Sequence, residues 1–571
     1  MYTLFMKFLV RYFVLLISFS SVAQTFTNPI LPGAYPDPSI CQAQGYYYIV
    51  NSSFEYFPGL PIHKSKDLVN WELIGYGLDR EDQCNGTNNL LDVQSNGGIH
   101  APTIRYHDGT FYIITTNIYS PVDGPTQFIN FIITAKDPAG SWSKPHIIDG
   151  APGIDPDLFF DDDGTVWFIG THDKGDKNAN GIGELWVQEL DLNKWQLKGE
   201  RTSVWTGACG GCCLEGPHMY KRNGVYYLMA AEGGTSFNHA VMIAASDKIT
   251  GPYDSNPRNP ILTSRHLSKD NWVHSTGHGD LINIPDGRWF MVALGKRGDE
   301  QRESNMGRET YLIPVSWEKA TVRWEQVSDN EWKPVIYEFP VGAPETGKVE
   351  RINPIPFKQT QQYQDDAFND NFDRLQLNLE WNFRRVPKAN TFSLSARTGY
   401  LRLYAKPEII ENRGQASLMG FRQRESDFQY SAGIHFRPKK NGEEAGISLF
   451  QKDNNYINFT LIKEKGLMVL RVILKDPKDD PKILKQEILS SYDGQIMLKV
   501  ISKDHQYHYQ YSLDQGEEYI PFISSEGDFI LSHRTGSYTG AFLGLYATGN
   551  GKITKAFMDV NWVSYQGFPR T

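Results

Sequence analysis

Between residues 36 and 293 the apolar and polar positions repeat on a long period. Five times the chain runs through a short β-rich stretch, a polar turn ending in Gly, and a second stretch dense in aromatics. The turns fall at Gly45 (Gln-Ala-Gln-Gly-Tyr-Tyr-Tyr-Ile-Val), Gly109 (His-Asp-Gly-Thr-Phe-Tyr-Ile-Ile), Gly164 (Asp-Asp-Gly-Thr-Val-Trp-Phe-Ile), Gly224 (Arg-Asn-Gly-Val-Tyr-Tyr-Leu-Met) and Gly287 (Pro-Asp-Gly-Arg-Trp-Phe-Met-Val). Asp-Gly or Asn-Gly between β-rich runs is a strong hairpin signal, because Gly accepts the positive φ of the tight turn. The intervals are 64, 55, 60 and 63 residues, and each unit carries a later aromatic: Trp71, Trp142, Trp195, Tyr253 and Trp324. A unit of about 60 residues that opens on a hairpin holds one four-stranded sheet, and five such sheets set radially make a five-bladed β-propeller.

After Trp324 the alternation is expected to break. Residues 339–365 contain Pro340, Pro344, Pro354 and Pro356 amid polar fill, and read as a crossover linker. From about Phe368 short alternating strands return, as in Tyr456-Ile-Asn-Phe-Thr-Leu-Ile and Leu467-Met-Val-Leu-Arg-Val-Ile-Leu, which predicts a β-sandwich. The chain is thus expected to be all-β, with a propeller over 24–340, a linker over 341–365 and a sandwich over 366–571. Residues 1–23 read as a signal peptide: Lys7 and Arg11, then the apolar run Tyr12-Phe-Val-Leu-Leu-Ile-Ser-Phe-Ser, then Ser21-Val22-Ala23. The run is well short of the roughly 20 apolar residues a membrane span needs. Gln24 stands where a lipid anchor would need Cys, so the mature protein is expected to be exported, periplasmic or secreted, and free of the membrane.

Composition narrows the class. Of 571 residues, 40% are hydrophobic and 22% charged, an ordinary globular balance for two domains, while 13% are aromatic and 51 Gly with 31 Pro make the chain turn-rich. The net charge of −9 argues against a nucleic-acid partner, whose phosphates favour a basic face. Five cysteines are few for an exported chain; Cys209, Cys212 and Cys213 crowd together, but no second CxxC or finger-spaced His supports zinc, so no metal site is expected. A disulfide remains open at this stage, with partners the sequence does not name.

The repeat also locates the chemistry. Nine residues before four of the hairpin glycines stand His100, Asp155, Glu215 and His278, and eight before Gly45 stands Asp37. The innermost strand of each blade lines the channel, so five ionisable side chains in phase with the repeat are expected to converge at one mouth. Carboxylates gathered in a funnel suit glycosidic hydrolysis, where one group protonates the leaving oxygen and another activates water. Burial and like charge raise the pKa of the acid, and aromatic walls suit the C–H faces of sugars.

The runs Asn28-Pro-Ile-Leu-Pro-Gly-Ala-Tyr-Pro-Asp37-Pro-Ser, Gly153-Ile-Asp155-Pro-Asp-Leu and Leu214-Glu215-Gly-Pro-His-Met-Tyr resemble glycoside hydrolase family 43. Asn51-Ser-Ser-Phe54-Glu-Tyr-Phe-Pro-Gly, His63-Lys-Ser-Lys-Asp-Leu-Val-Asn-Trp and Gly307-Arg308-Glu-Thr are similar to its β-xylosidase and α-L-arabinofuranosidase branch. The resemblance implies a five-bladed propeller in which Asp37 is the general base, Glu215 the general acid, and Asp155 the carboxylate that tunes the acid and holds the sugar. It also implies that Arg308 hydrogen-bonds the sugar and that Phe54 walls the pocket. His278, in Ser275-Thr-Gly-His-Gly-Asp, matches an axial histidine that in many members lies near a central ion or water. No cofactor is required, although a structural calcium near His278 is compatible with that match. One departure stands out: His100, in Gly98-Ile-His-Ala-Pro, replaces the usual aromatic and leaves the preferred sugar open. His274 and His278 have the spacing of a helical metal pair, but their Gly-rich stretch is not helical.

The C-terminal half resembles that branch's sandwich, through Trp381-Asn-Phe-Arg-Arg and Tyr538-Thr-Gly-Ala-Phe-Leu-Gly. Relatives use this domain to close one side of the site, which implies that Tyr538 reaches the sugar pocket. The reading is an exo-acting, inverting glycosidase that removes terminal α-L-arabinofuranosyl or β-D-xylosyl residues from plant cell-wall carbohydrate. An endo-arabinanase fits less well, since a domain closing the funnel favours a pocket over a groove. A binding propeller without catalysis would be expected to lack one of Asp37, Asp155 and Glu215, and a β-fructosidase would carry Asn-Asp-Pro-Asn-Gly near its start, which this chain lacks.

Overall fold

Each of the five turns joins the first two strands of a separate sheet, and all five glycines adopt φ between +71° and +88°. The computed structural model describes residues 24–173, 183–210, 212–268, 270–298, 304–358, 360–363, 366–527 and 535–570; the expected signal peptide lies outside them. Among the described residues no helix is long and apolar enough to cross a membrane.

The blades begin with Ser39–Ala43, Thr103–His107, Asp157–Phe160, Glu215–Arg222 and Val273–Asn283. Each first strand pairs antiparallel with the strand beyond its turn, and further strands continue outward. Blades two and four hold five short strands instead of four, because Gly98–Ile99 and Leu262–Thr263 share a partner with a neighbouring strand. A separate apolar core fills each junction. Ile62 and Ile113 mark the first, Ile132 and Phe168 the second, Leu185 and Met242 the third, and Val241 with Met291 the fourth. The fifth core, with Ile49 from blade one and Val292 from blade five, closes the ring. Each fully buried side chain of this size contributes roughly 1.5–3 kcal/mol.

Below the mouth the channel is tied by a polar layer with a contribution from every first strand. The Arg105 guanidinium bridges Asp157 Oδ1 at 2.9 Å and Asp280 Oδ2 at 3.0 Å. Ser39 Oγ and Tyr220 Oη also donate to Asp280, at 2.8 and 2.5 Å, and His218 Nδ1 lies 3.1 Å from Arg105. Both aspartates are fully buried, and Arg105 with these donors supplies the partners that a buried carboxylate needs.

Two elements differ from the sequence reading. The β pattern does not break after Trp324: strands Glu309–Ser328 and Glu331–Gly342 form a long hairpin whose tip leaves Trp324 60% exposed. Beyond it, Ile352–Pro354 pairs with Thr25–Thr27, fastening the start of the described chain. The second half forms two eight-stranded antiparallel sheets around one core that includes Phe421, Phe459, Leu498 and Tyr565. One of these sheets ends in a strand from the propeller. Tyr56–Phe57, in a blade-one loop, pairs with Asn382–Arg384, and the Tyr56 ring stacks on Phe542 at 4.1 Å.

Candidate active site

Asp37, His100 and Asp155 stand just before the first strands of their blades; Glu215 opens its strand, and His278 lies within its own. Asp37, Asp155 and His278 take left-handed backbone, with φ of 52°, 54° and 47°. Such conformations cost energy in non-Gly residues and persist where surrounding structure fixes them. In blade four the left-handed residue is Gly216 (φ 57°), beneath the His278 imidazole, where a Cβ would lie 2.7 to 3.0 Å from three ring atoms. Ladder irregularities follow Glu215 and flank His278, and these bulges re-aim the side chains into the mouth.

Asp37 is buried and fully satisfied. Its carboxylate accepts from Arg308 Nη1 at 2.7 Å and Nη2 at 3.3 Å, and from Ser52 Oγ at 2.6 Å, with His278 Nδ1 at 3.9 Å. Burial alone would raise its pKa, but Arg308, then His278 and the Ser52 hydroxyl, outweigh burial and hold it below the usual carboxylate range. Glu215 moves the other way, pushed up to about 7 by burial and by the Asp37 charge, which Arg308 only partly opposes. Asp155 is raised well above its usual value by burial, then by Glu215 and Asp37. Asp155 and Glu215 therefore titrate as a pair that retains a proton at neutral pH while Asp37 is ionised. Burial holds His100 and His278 down at about 4, so both imidazoles are neutral at pH 7. One mouth thus carries a carboxylate and a carboxylic acid together, which is what acid–base hydrolysis demands.

The walls come from both domains. Phe54 is held by paired backbone bonds with Ile99, of 2.8 and 3.0 Å, and its ring meets His100 edge-on at 5.0 Å. Tyr538, on the sandwich loop, brings its ring to 5.8 Å from Phe54 and 6.3 Å from His100, and remains 37% exposed toward the mouth. The Arg308 guanidinium lies over both Phe54 and Tyr538, at 5.5 and 5.3 Å, while its Nε donates to the Tyr538 carbonyl at 3.0 Å. The two loops touch backbone to backbone: a Cβ on Gly307 would fall 2.3 Å from the Gly540 nitrogen. All eight residues singled out in the sequence therefore gather around one mouth.

Four further side chains belong to this region. Ser52 bonds Asp37, and the buried Lys296, lowered to about 8 by burial and by Arg308, faces His274 across a strand pair and donates to the Thr235 carbonyl. Phe237, 43% exposed, stacks on His274 at 4.6 Å. The cross-strand register of blade five would have revealed Lys296, but its bulges hide that register in the sequence. His274 and His278 lie on a strand. Among the described residues no three His, Cys, Asp or Glu side chains come together as a metal-binding group.

Comparison with known proteins agrees with this geometry. The profile described as Glycosyl hydrolases family 43 matches residues 26–321, and that of the Beta xylosidase C-terminal Concanavalin A-like domain matches residues 369–566. The chain belongs to glycosyl hydrolase family 43. It is a glycosidase. It is 38% identical to a xylosidase/arabinosidase of Butyrivibrio fibrisolvens, over 94% of this chain and 99% of the relative. It is 33% identical to a non-reducing end α-L-arabinofuranosidase of Bacteroides ovatus, over 96% of each. Among solved structures, a family 43 protein of the Bacteroides ovatus xyloglucan PUL superposes with a TM-score of 0.84 at 32% identity, covering 95% of this chain and 100% of that one. A xylan β-1,4-xylosidase from Bacillus halodurans superposes with a TM-score of 0.83 at 27% identity, with the same coverage.

Proposed function

We propose that this glycosidase is exo-acting and inverting, and that it releases terminal α-L-arabinofuranosyl or β-D-xylosyl residues from plant cell-wall polysaccharides and their oligosaccharides after export. The observation that carries this reading is the opposed titration of Asp37 and the Asp155–Glu215 pair at a mouth walled on one side by Tyr538. A walled mouth admits the end of a chain and excludes its middle.

In the proposed reaction Asp37 accepts a proton from a water molecule as the water oxygen attacks the anomeric carbon. Glu215 gives its proton to the departing glycosidic oxygen as that bond breaks. Asp155 shares the proton with Glu215 and keeps the acid charged with it up to neutral pH. Arg308 neutralises Asp37 in the resting site and presents N–H groups toward the sugar. Since the oxygen entering the sugar comes from water and not from Asp37, one displacement inverts the anomeric centre.

The relatives include both arabinofuranosidases and xylosidases, and the terminal sugar is set by the wall of Phe54, His100 and Tyr538. The deciding experiment is a paired assay on nitrophenyl α-L-arabinofuranoside and nitrophenyl β-D-xyloside, with the first-formed product followed by NMR. Release of the inverted pentose from at least one substrate supports the reading. A retained anomer, or hydrolysis confined to internal bonds of arabinan, would overturn it.

A further inference from the structure

Cys212 and Cys213 immediately precede Leu214 and Glu215, at the lip of the same mouth. Their sulfurs stand 2.9 Å apart, inside van der Waals contact, and both residues are exposed. Hydrogen bonds hold the described residues on both sides of the pair. The Glu232 carboxylate, itself buried, accepts from the amides of Ala208 and Cys209, the Gly233 amide donates to the Cys212 carbonyl at 2.8 Å, and Thr171 Oγ1 donates to the Leu214 carbonyl at 2.7 Å. Cys213 takes left-handed backbone (φ 64°), and its sulfur lies 3.5 Å from where a Cβ on Gly234 would be. The third cysteine of the cluster turns elsewhere: Cys209 Sγ lies 3.8 Å from Met242 Sδ and 3.6 Å from Arg265.

We propose that Cys212 and Cys213 form a disulfide between adjacent residues, and that this bond is a wall of the sugar site beside Glu215. The inference rests on the reading of the mouth as an exo-acting pentosidase site. The oxidant is a small-molecule disulfide such as oxidised glutathione. Its S–S bond breaks and takes up two electrons and the two thiol protons as two new thiols, while one S–S bond forms between Cys212 and Cys213. Reduced, the pair offers two S–H groups that rotate freely. Oxidised, it offers a fixed, polarisable and apolar surface with no donor, suited to the C–H face of a pentose. The bond also fixes the backbone two residues before Glu215, and so the position of that carboxyl.

The test has two independent readouts on the full mature chain. Peptide mapping by mass spectrometry after equilibration with oxidised glutathione is expected to find a peptide lighter by two hydrogens, with both linked sulfurs in the Cys212–Cys213 dipeptide. The oxidised enzyme is expected to show a KM for the better nitrophenyl pentoside roughly three- to tenfold lower than the reduced enzyme, with a smaller change in kcat. The double variant Cys212→Ser, Cys213→Ser should match the reduced enzyme and no longer respond to redox buffer, while Cys209→Ser should respond as the natural chain does. Mapping that finds both thiols free, or Cys209 in the bond, overturns the proposal whatever the activity. An adjacent disulfide whose reduction leaves KM unchanged overturns the wall. Absence of pentosidase activity in both redox states, with the bond mapped, would instead strike at the pentosidase reading.

Discussion

A buried carboxylate beside a guanidinium and two buried carboxyls beside each other respond to the same burial in opposite ways, and the pH profile records the difference. Catalysis needs Asp37 ionised and Glu215 protonated. Lowering the pH therefore costs activity only as Asp37 gains a proton, below its usual value because of Arg308, while raising it costs activity as Glu215 loses its proton near about 7. A kcat/KM profile is expected to be broad on the acid side and to fall above neutrality. Glu215→Ala should abolish the alkaline limb. It should also cut kcat/KM on unactivated arabinosides or xylosides about 100-fold more than on aryl glycosides, whose leaving groups need little protonation. Asp37→Ala should impair both substrate types alike; steady-state kinetics on the paired substrates separates the two roles. Asp155→Asn removes the group with which Glu215 shares its proton. If the two carboxyls share one proton, the alkaline limb of the variant is expected to move to lower pH, and a limb that stays in place would show that Asp155 does not tune the acid.

Among the elements, the first strands carry most of the load, because each supplies a residue to the polar layer and either contains a residue of the mouth or closely follows one. Arg105→Met would leave Asp157 and Asp280 buried without their cation, and should cost about 3–5 kcal/mol in a urea titration, as removal of one partner from a buried ion cluster does. The phase of the repeat made the mouth legible: five strong turn signals set the register, and counting back from them lands on Asp37, His100, Asp155, Glu215 and His278. The layer beneath is not in phase: Ser39, Arg105, Asp157, Tyr220 and Asp280 stand six, four, seven, four and seven residues before their turns, so no single interval collects them. Tyr56–Phe57 could not be read as a sandwich strand, since two residues before a proline carry no periodicity and their partner is 326 positions away at Phe383. The long hairpin of blade five escaped for a related reason. Its tip is exposed on both faces, so Trp324 and Val327 do not alternate with a buried side. Phe54, Arg308 and Tyr538 came from family resemblance, and no spacing in the sequence would have brought a residue near 538 to one near 54.

At the scale of the whole molecule, the sandwich completes the propeller's own site. Blade one lends it a strand, and in return Arg384 meets the buried Glu55 at 2.9 Å, directly beside Phe54. Arg297 joins Glu309 of blade five to Glu425 of the sandwich, with bonds of 2.7 to 2.9 Å, next to the loop that carries Arg308. Arg308 in turn is oriented by the Tyr538 carbonyl. Removing the sandwich would leave Glu55 a desolvated charge without its cation and free the loops that place Phe54 and Arg308, all before any sugar contact is counted. A chain ending after Gly342 is therefore expected to lose at least about 100-fold in kcat/KM, the size of loss that misplacing a reacting group by an ångström brings. Because such a chain could fail simply by unfolding, the milder Tyr538→Ala in the full chain is the companion measurement. It keeps the interface bonds made by backbone and should raise KM, and also lower kcat if the ring orients the sugar. If the shortened chain folds and retains full kcat/KM, and Tyr538→Ala is silent, the sandwich is a separate module resting on a propeller that is complete without it.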